Sequence, residues 1–71
     1  MRRFRRPDGR IYEIAEPRLD LLGDEVIATY HGSRHSRRGG IHIYLAGRVS
    51  IETLVRLRLA HGYVELRQQA T

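Results

Sequence analysis

The sequence contains no cysteine, no lysine and no tryptophan, and it has a single phenylalanine. Without cysteine the chain cannot be a disulfide-bonded mini-protein, a cysteine-based zinc finger, a thiol enzyme or an iron–sulfur protein. It also lacks an apolar run of the ~18 residues that a membrane-spanning helix needs, and its Met-Arg-Arg start is unlike a signal peptide. We therefore expect a soluble, cytoplasmic protein.

Arginine supplies every cationic side chain apart from the histidines. Thirteen arginines stand against eight acidic residues, which gives a formal net charge of +5 at pH 7. The planar guanidinium suits phosphate and carboxylate groups, although an all-arginine composition is also what a GC-rich genome produces. At 71 residues and 41% hydrophobic content, the chain has material for one core and no second one. We expect one domain over residues 1–71.

The first part of the chain predicts strands. The turn signal Pro7-Asp8-Gly9 separates residues 1–6 from the β-branched and aromatic segment 10–15, which is typical of a hairpin. An apolar-rich connection over residues 19–23 leads to a third strand over residues 24–31.

A glycine-rich basic segment follows the third predicted strand. Residues 32–40 contain three glycines and no apolar side chain, so we expect an exposed loop. The next five residues alternate with period two and predict a fourth strand. This alternation predicts Ile41, Ile43 and Leu45 on the buried face and His42 and Tyr44 on the opposite one. His42 and Tyr44 either extend a stacking platform for a ligand or, as the plainer interpretation, pair across the sheet with Ile27 and Thr29.

The last third of the chain predicts one helix and one strand. Ser50 is a favourable N-cap and Gly62 is placed to end a helix over residues 51–61. Arg58 falls within the apolar stripe of this helix, and we expect its stem on the core and its guanidinium in water. A final strand over residues 63–67 completes the order β-β-β-β-α-β. The predicted fold is α+β, with a small antiparallel sheet of about five strands and one helix before the last strand.

The segment 32–40 is the first candidate site. Its glycines would let the backbone approach a phosphate, and its arginines would supply bidentate donors. The alternative is a solvated hairpin whose arginines only confer solubility. The candidate residues are Gly32, Arg34, Arg37, Arg38, Gly39 and Gly40.

His31 and Tyr30 precede this segment and are candidates for packing against a base or sugar, because both side chains carry flat rings. The alternative is that His31 packs only against the loop. The N-terminal arginines are either a phosphate track or charges that protect an edge strand from aggregation. They are Arg2, Arg3, Arg5 and Arg6.

We expect no metal, no cofactor and no catalytic residue. His31 and His35 are four residues apart and His42 could add a third nitrogen, but that spacing joins histidines only on a helix. Ser33 and Ser36 neighbour histidines, yet a hydrolase needs an oriented nucleophile, base and third group in a sizeable pocket.

In order and across nearly the whole chain, the pattern resembles a WGR domain. The matching features are Phe4, the strand Ile11-Tyr12-Glu13-Ile14, the turn Asp20-Leu21-Leu22-Gly23-Asp24, the segment 32–40 and the closing Gly62-Tyr63. In a gap-free alignment, His31 stands at the signature Trp, Gly32 at the Gly and Ser33 at the Arg, while His35 stands at the second signature Gly. The resemblance implies the fold predicted above.

WGR domains are best known from DNA-damage-responsive ADP-ribosyl polymerases, where the module binds near a DNA break. The resemblance implies a stand-alone bacterial member of the family that has no enzymatic activity. It implies binding to nucleic acid through backbone phosphates, with DNA expected as the ligand rather than RNA. Two alternatives remain open. The first is a protein-interaction adaptor that has lost DNA-end reading, which the residues at positions 31 and 33 favour. The second is a small metal-independent ribonuclease that uses His and Arg.

Overall fold

The computed structural model describes residues 1–33 and 36–67, with residues 36–38 described by their backbone. The described elements are β1 (Arg2–Arg5), β2 (Arg10–Ile14), β3 (Arg18–Leu19), β4 (Glu25–Ser33), β5 (Ser36–Leu45), α1 (Ile51–Ala60) and β6 (Val64–Leu66). The predicted α+β class, with an antiparallel sheet and one helix, is confirmed for this part of the chain. The strand count differs, because the two-residue β3 lies where a connection was expected.

The strand β4 organises the sheet. One edge of β4 pairs with β3 and then with β2, and its other edge pairs with β5. Beyond β2 the sheet continues through β1 to β6, and every pairing is antiparallel. Among the described strands, β3, β5 and β6 each pair with one neighbour only and therefore have a free edge.

The prediction of an exposed loop over residues 32–40 is wrong for residues 32–33 and 36–40, and residues 34–35 lie outside the described part of the chain. β4 continues to Ser33 and β5 begins at Ser36, with His31 opposite Gly40 and a register shift between His31 and Ser33. Glycine allows this pairing, because a Cβ built at Gly39 would lie 2.5 Å from the carbonyl oxygen of His31. The glycines thus bring two strands together, although their composition is typical of a loop.

The helix α1 covers one face of the sheet. Ser50 caps its first turn, since the Ser50 Oγ accepts a hydrogen bond from the Thr53 N–H at 3.2 Å. Gly62 ends it with φ of 86°, a conformation that favours glycine. Among the described residues, no helix has the length and apolarity needed to cross a membrane. The core beneath α1 is formed by Phe4, Tyr12, Ile14, Ile27, Leu54 and Tyr63.

The face that carries Ile41, Ile43 and Leu45 is the reverse of the one predicted. These side chains are 65%, 52% and 45% exposed, respectively. Tyr44 instead packs against the core opposite Ile27, and the rings of His42 and Tyr44 lie 4.3 Å apart. The predicted cross-strand pairs, Tyr44 with Ile27 and His42 with Thr29, are confirmed. The sheet therefore has a covered face under α1 and an open face with exposed aliphatic side chains.

Candidate nucleic-acid interface

The β1–β2 hairpin and the described ends of β4 and β5 lie side by side at one end of the sheet. Arg10 pairs with Ser33, so the turn between β1 and β2 adjoins the end of the β4–β5 hairpin. Arg5 pairs with Val64, which brings the start of β6 to the same end. We call residues 5–10 and 31–40 the basic end.

Arginine dominates the basic end. Arg5, Arg6 and Arg10 lie at the first turn, and positions 37 and 38 of β5 are also arginines. Asp8 is the one acidic residue of these two segments, and its Oδ2 lies 3.6 Å from the Nε atoms of both Arg6 and Arg10. Pairs this long and exposed contribute little, so the excess positive charge remains available. The predicted site residue Arg34 lies outside the described residues.

The opposite end of the strands carries most of the acidic side chains. We call residues 16–25 and 46–52 the acidic end, where the arginines are Arg18 and Arg48 alone. No acidic residue occurs between Glu25 and Glu52, so the distal halves of β4 and β5 carry positive charge only. The charges are thus segregated along the strand direction. The carboxylates of the acidic end belong to Glu16, Asp20, Asp24, Glu25 and Glu52.

Arginine and tyrosine side chains stack beside the basic end on the covered face. The guanidinium carbon of Arg58 lies 4.0 Å from the ring centroid of Tyr12 and 5.8 Å from that of Tyr63. Arg6 approaches the Tyr63 ring to 5.5 Å. Arg58 is half-buried, and its Nε is buried with no hydrogen-bond partner in the described part of the chain, so the expectation that the guanidinium lies in water is wrong for this nitrogen. Contact with the rings of Tyr12 and Tyr63 therefore positions the Arg58 guanidinium.

Sequence reasoning missed this cluster. The available signal was that Arg58 falls within the apolar stripe of α1, four residues after Leu54. That spacing predicts contact with the core but not which ring the guanidinium meets. Only the strand register, which places Tyr12 beneath the last turn of the helix, supplies the partner.

The structure separates Tyr30 from His31. His31 is opposite Tyr12 on the covered face, beyond the helix, and it is exposed. Its ring occupies the space above Gly40, where a Cβ would collide with it. Tyr30 is half-buried and points to the open face, because neighbouring residues of a strand alternate. Only His31 can therefore join the covered-face cluster.

Tyr30 instead lines a shallow pocket on the open face. The pocket has a volume of about 180 Å³. This is below the roughly 300 to 1,000 Å³ of most small-molecule sites, so a ligand here would rest on the surface. The lining residues are Ile11, Glu13, Tyr30, His31, Gly32, Ser33 and Gly39.

The glycines that were predicted to admit a phosphate have an internal role as well. Gly39 makes room for the His31 carbonyl and Gly40 for the His31 ring. A Cβ built on Gly32 would lie 3.9 Å from the Cα of Gly39, which is an ordinary van der Waals contact. Their contact with a ligand remains a prediction. In the described part of the chain, no three His, Cys, Asp or Glu side chains form a metal-binding group.

The N-terminal arginines divide into two groups. Arg2 makes a bidentate pair with Glu65, with Nε–Oε2 at 2.6 Å and Nη2–Oε1 at 2.5 Å, and Arg3 contacts Glu13 at 3.0 Å. Hydrogen bonding to Arg2 lowers the pKa of Glu65, and the same bonds raise the pKa of Arg2. Arg5 has no ion pair among the described residues and lies at the basic end. Arg2 and Arg3 are therefore committed to carboxylates, whereas Arg5 is available.

Comparisons with protein-family models, with curated proteins and with solved structures find no match for the chain. The similarity to WGR domains thus remains a prediction from the sequence. A function has to be argued from the geometry and charge of the site itself.

Proposed function

We propose that the protein is a non-enzymatic nucleic-acid-binding module that holds duplex DNA at its basic end, chiefly through backbone phosphates. The observation that carries this proposal is the segregation of charge along the strands. The arginines of the β1–β2 turn and of the start of β5 lie at one end of the sheet, and five carboxylates lie at the other.

A duplex backbone presents closely spaced negative charges, and arginines that contact them release condensed counterions. Arg5 and Arg10 lie on adjacent strands beside the turn formed by the β4–β5 hairpin. Arg5 shares the open face with its partner Ile11, whereas Arg10 shares the covered face with Tyr12, so a duplex backbone that crosses the end of the sheet can contact both. We expect Arg37 and Arg38, which belong to β5 at the same end, to add phosphate contacts. Such contacts carry no base information, so we expect binding that is independent of sequence.

His31 supports the proposal in a second way. Its exposed ring lies on the covered face near the Arg58 and Tyr12 stack, at the edge of the basic end. A flat exposed ring beside positive charge suits packing against a sugar or a terminal base. Its contribution is smaller than that of the arginines, because imidazole offers less stacking area than indole.

A fluorescence titration tests the proposal. Labelled duplex, hairpin and single-stranded DNA are titrated with the protein at 50 and 200 mM salt. Three to five phosphate contacts predict a log–log slope of affinity against salt of roughly −3 to −5.

The matched variants carry equal charge changes at different places. Replacing Arg34, Arg37 and Arg38 by Gln should weaken duplex binding at least tenfold. Replacing Arg18, Arg48 and Arg56 by Gln removes the same charge elsewhere and should weaken it less than threefold. Equal losses would contradict a localised site. Absence of binding at low salt would favour the adaptor alternative, and cleavage of an RNA strand would favour the ribonuclease alternative.

A further inference from the structure

The outer edge of β5 presents unpaired peptide groups. Among the described strands, β5 pairs with β4 alone. The Ala46 N–H donates to the Glu25 carbonyl at 2.9 Å, and this continues the register of the two strands. Peptide groups alternate in direction along an antiparallel strand, so those of Ile41, Ile43 and Leu45 point away from β4. They form a row of donors and acceptors on a strand of ten residues.

The same three residues carry exposed aliphatic side chains on the open face, at 65%, 52% and 45% exposure. A long edge strand with apolar side chains is a template for pairing with another strand. Soluble proteins usually guard such an edge with a charge, a proline or a bulge. Residues 41–45 contain no proline and no Asp, Glu, Lys or Arg.

This segment is complementary to itself. In antiparallel pairing about Ile43, Ile43 faces its own copy, and Ile41 faces Leu45 of the second copy. All three outward-pointing residues then form hydrogen-bonded pairs, which gives six backbone hydrogen bonds. On the covered face His42 meets Tyr44 of the second copy. Every pair joins residues of the same face and similar polarity.

The charges favour the same arrangement. Antiparallel pairing of the two β5 strands places the basic end of each chain beside the acidic end of the other. In this register Arg38 lies opposite Arg48 of the second copy, but the five carboxylates of the acidic end outnumber its two arginines, so the two ends still carry opposite net charge. Parallel pairing would bring the two basic ends together. Charge complementarity thus selects the antiparallel, two-fold symmetric pair.

From these observations we propose that the protein forms a symmetric homodimer through antiparallel pairing of β5 about Ile43, which joins the two sheets into one. This inference is independent of nucleic-acid binding. The partner that pairs with the free edge of β5 is a second copy of the chain, because this segment is complementary to itself in hydrogen bonding, in polarity and in charge.

Sedimentation equilibrium of the full chain over micromolar to submillimolar concentrations tests the dimer. The expected result is a species of twice the chain mass of 8.3 kDa. Ile43→Lys places two like charges at the two-fold axis and should raise the dissociation constant at least tenfold. Leu59→Lys is the matched control, since Leu59 on α1 is also 52% exposed, and it should leave the constant unchanged.

Because the chain has no cysteine, single cysteine variants test the register. At a hydrogen-bonded pair the Cα atoms lie about 5.5 Å apart and the Cβ atoms are too far apart for a relaxed disulfide, so a thiol-reactive cross-linker one or two atoms long is used instead of oxidation. Ile43→Cys should therefore form a cross-linked dimer with this reagent. Ile41→Cys alone and Leu45→Cys alone should not, but a mixture of these two variants should cross-link.

Three results would overturn the proposal. The first is a single species of one chain mass throughout the concentration range. The second is an equal loss of association in the two lysine variants while circular dichroism shows both folded. The third is cross-linking of Ile41→Cys with itself that is as fast as that of Ile43→Cys, because this would contradict the register about Ile43.

Discussion

The basic and acidic ends of the sheet are built from the same strands but differ in charge and in packing. At the basic end, Gly39 and Gly40 bring the β4–β5 hairpin so close that a side chain at either position would collide with His31. At the acidic end, Gly47 has no atom within 4 Å of a hypothetical Cβ. The end with the arginines is thus the end where backbone geometry is most constrained.

In this small protein the residues that stabilise the fold and the charged residues proposed to bind a ligand occupy different parts of the sheet. The core lies in the middle of the sheet, around Phe4, Ile14 and Leu54. Charge at the ends can therefore change without removing core contacts. Comparing matched substitutions at the two ends separates effects on binding from effects on stability.

The largest effect is expected from charge reversal. Arg37→Glu with Arg38→Glu should weaken duplex binding at low salt by about a hundredfold, or roughly 2.7 kcal/mol, since two phosphate contacts become repulsive. The same reversal at the acidic end, Arg18→Glu with Arg48→Glu, should change affinity less than fivefold. Isothermal titration calorimetry measures both. A similar loss in the two variants would show that net charge alone governs binding.

Backbone packing gives the next largest difference. Gly39→Ala should lower the free energy of unfolding by about 2 kcal/mol, because its Cβ would meet the His31 carbonyl oxygen. Gly47→Ala should change it by less than about 0.5 kcal/mol. Urea denaturation compares the two variants. If Gly39→Ala is as stable as Gly47→Ala, the close pairing of β4 and β5 at the basic end is wrong.

The resemblance to WGR domains predicts a gain of function at the basic end. His31→Trp with Ser33→Arg should strengthen binding to a DNA end about tenfold over closed duplex, equivalent to about 1.4 kcal/mol, because indole stacks on a larger area and the guanidinium adds a phosphate bond. Both positions lie on the same face of β4, opposite Tyr12 and Arg10.

His42→Trp is the control for this gain, because His42 lies on the same face but nearer the middle of β5. It should alter end preference by less than twofold. A double variant that folds but binds ends and closed duplex alike would contradict the alignment of His31 with the signature Trp.

The smallest effect concerns an arginine that is already paired. Glu65→Gln removes the bidentate contact with Arg2 and should lower stability by at most about 1 kcal/mol at pH 7, because solvent screens this half-exposed pair. The lowered pKa of Glu65 means that its contribution is complete above the ordinary carboxyl pKa and is lost as pH falls through the lowered value.

Thermal melts from pH 7 down to pH 2 check this dependence. The difference between wild type and Glu65→Gln should vanish at the acidic limit. A difference in stability between wild type and Glu65→Gln that persists at pH 2 would mean that Glu65 acts through something other than its charge.

The sequence was sufficient to predict the first hairpin, the caps of α1 and the α+β class, because turn residues and caps act locally. It did not predict which face of β5 is covered, since alternation groups Ile41 with Ile43 but does not say which face meets the helix. It also missed the pairing of residues 36–40, because glycine and arginine disfavour strands unless a neighbouring backbone fits closely. The grouping of Arg58 with Tyr12 depends on register, which is a tertiary property.

Mapping the amide shifts of the ¹⁵N-labelled protein during titration with a duplex tests the central claim most directly. Binding at the basic end predicts that shifts concentrate in residues 5–10 and 31–40, and that they disappear when salt is raised from 50 to 200 mM. Residues 16–25 and 46–52 should shift little, because they carry the carboxylates. Shifts that centre on the acidic end, or that spread evenly over the sheet, would contradict the assignment of the basic end as the nucleic-acid interface.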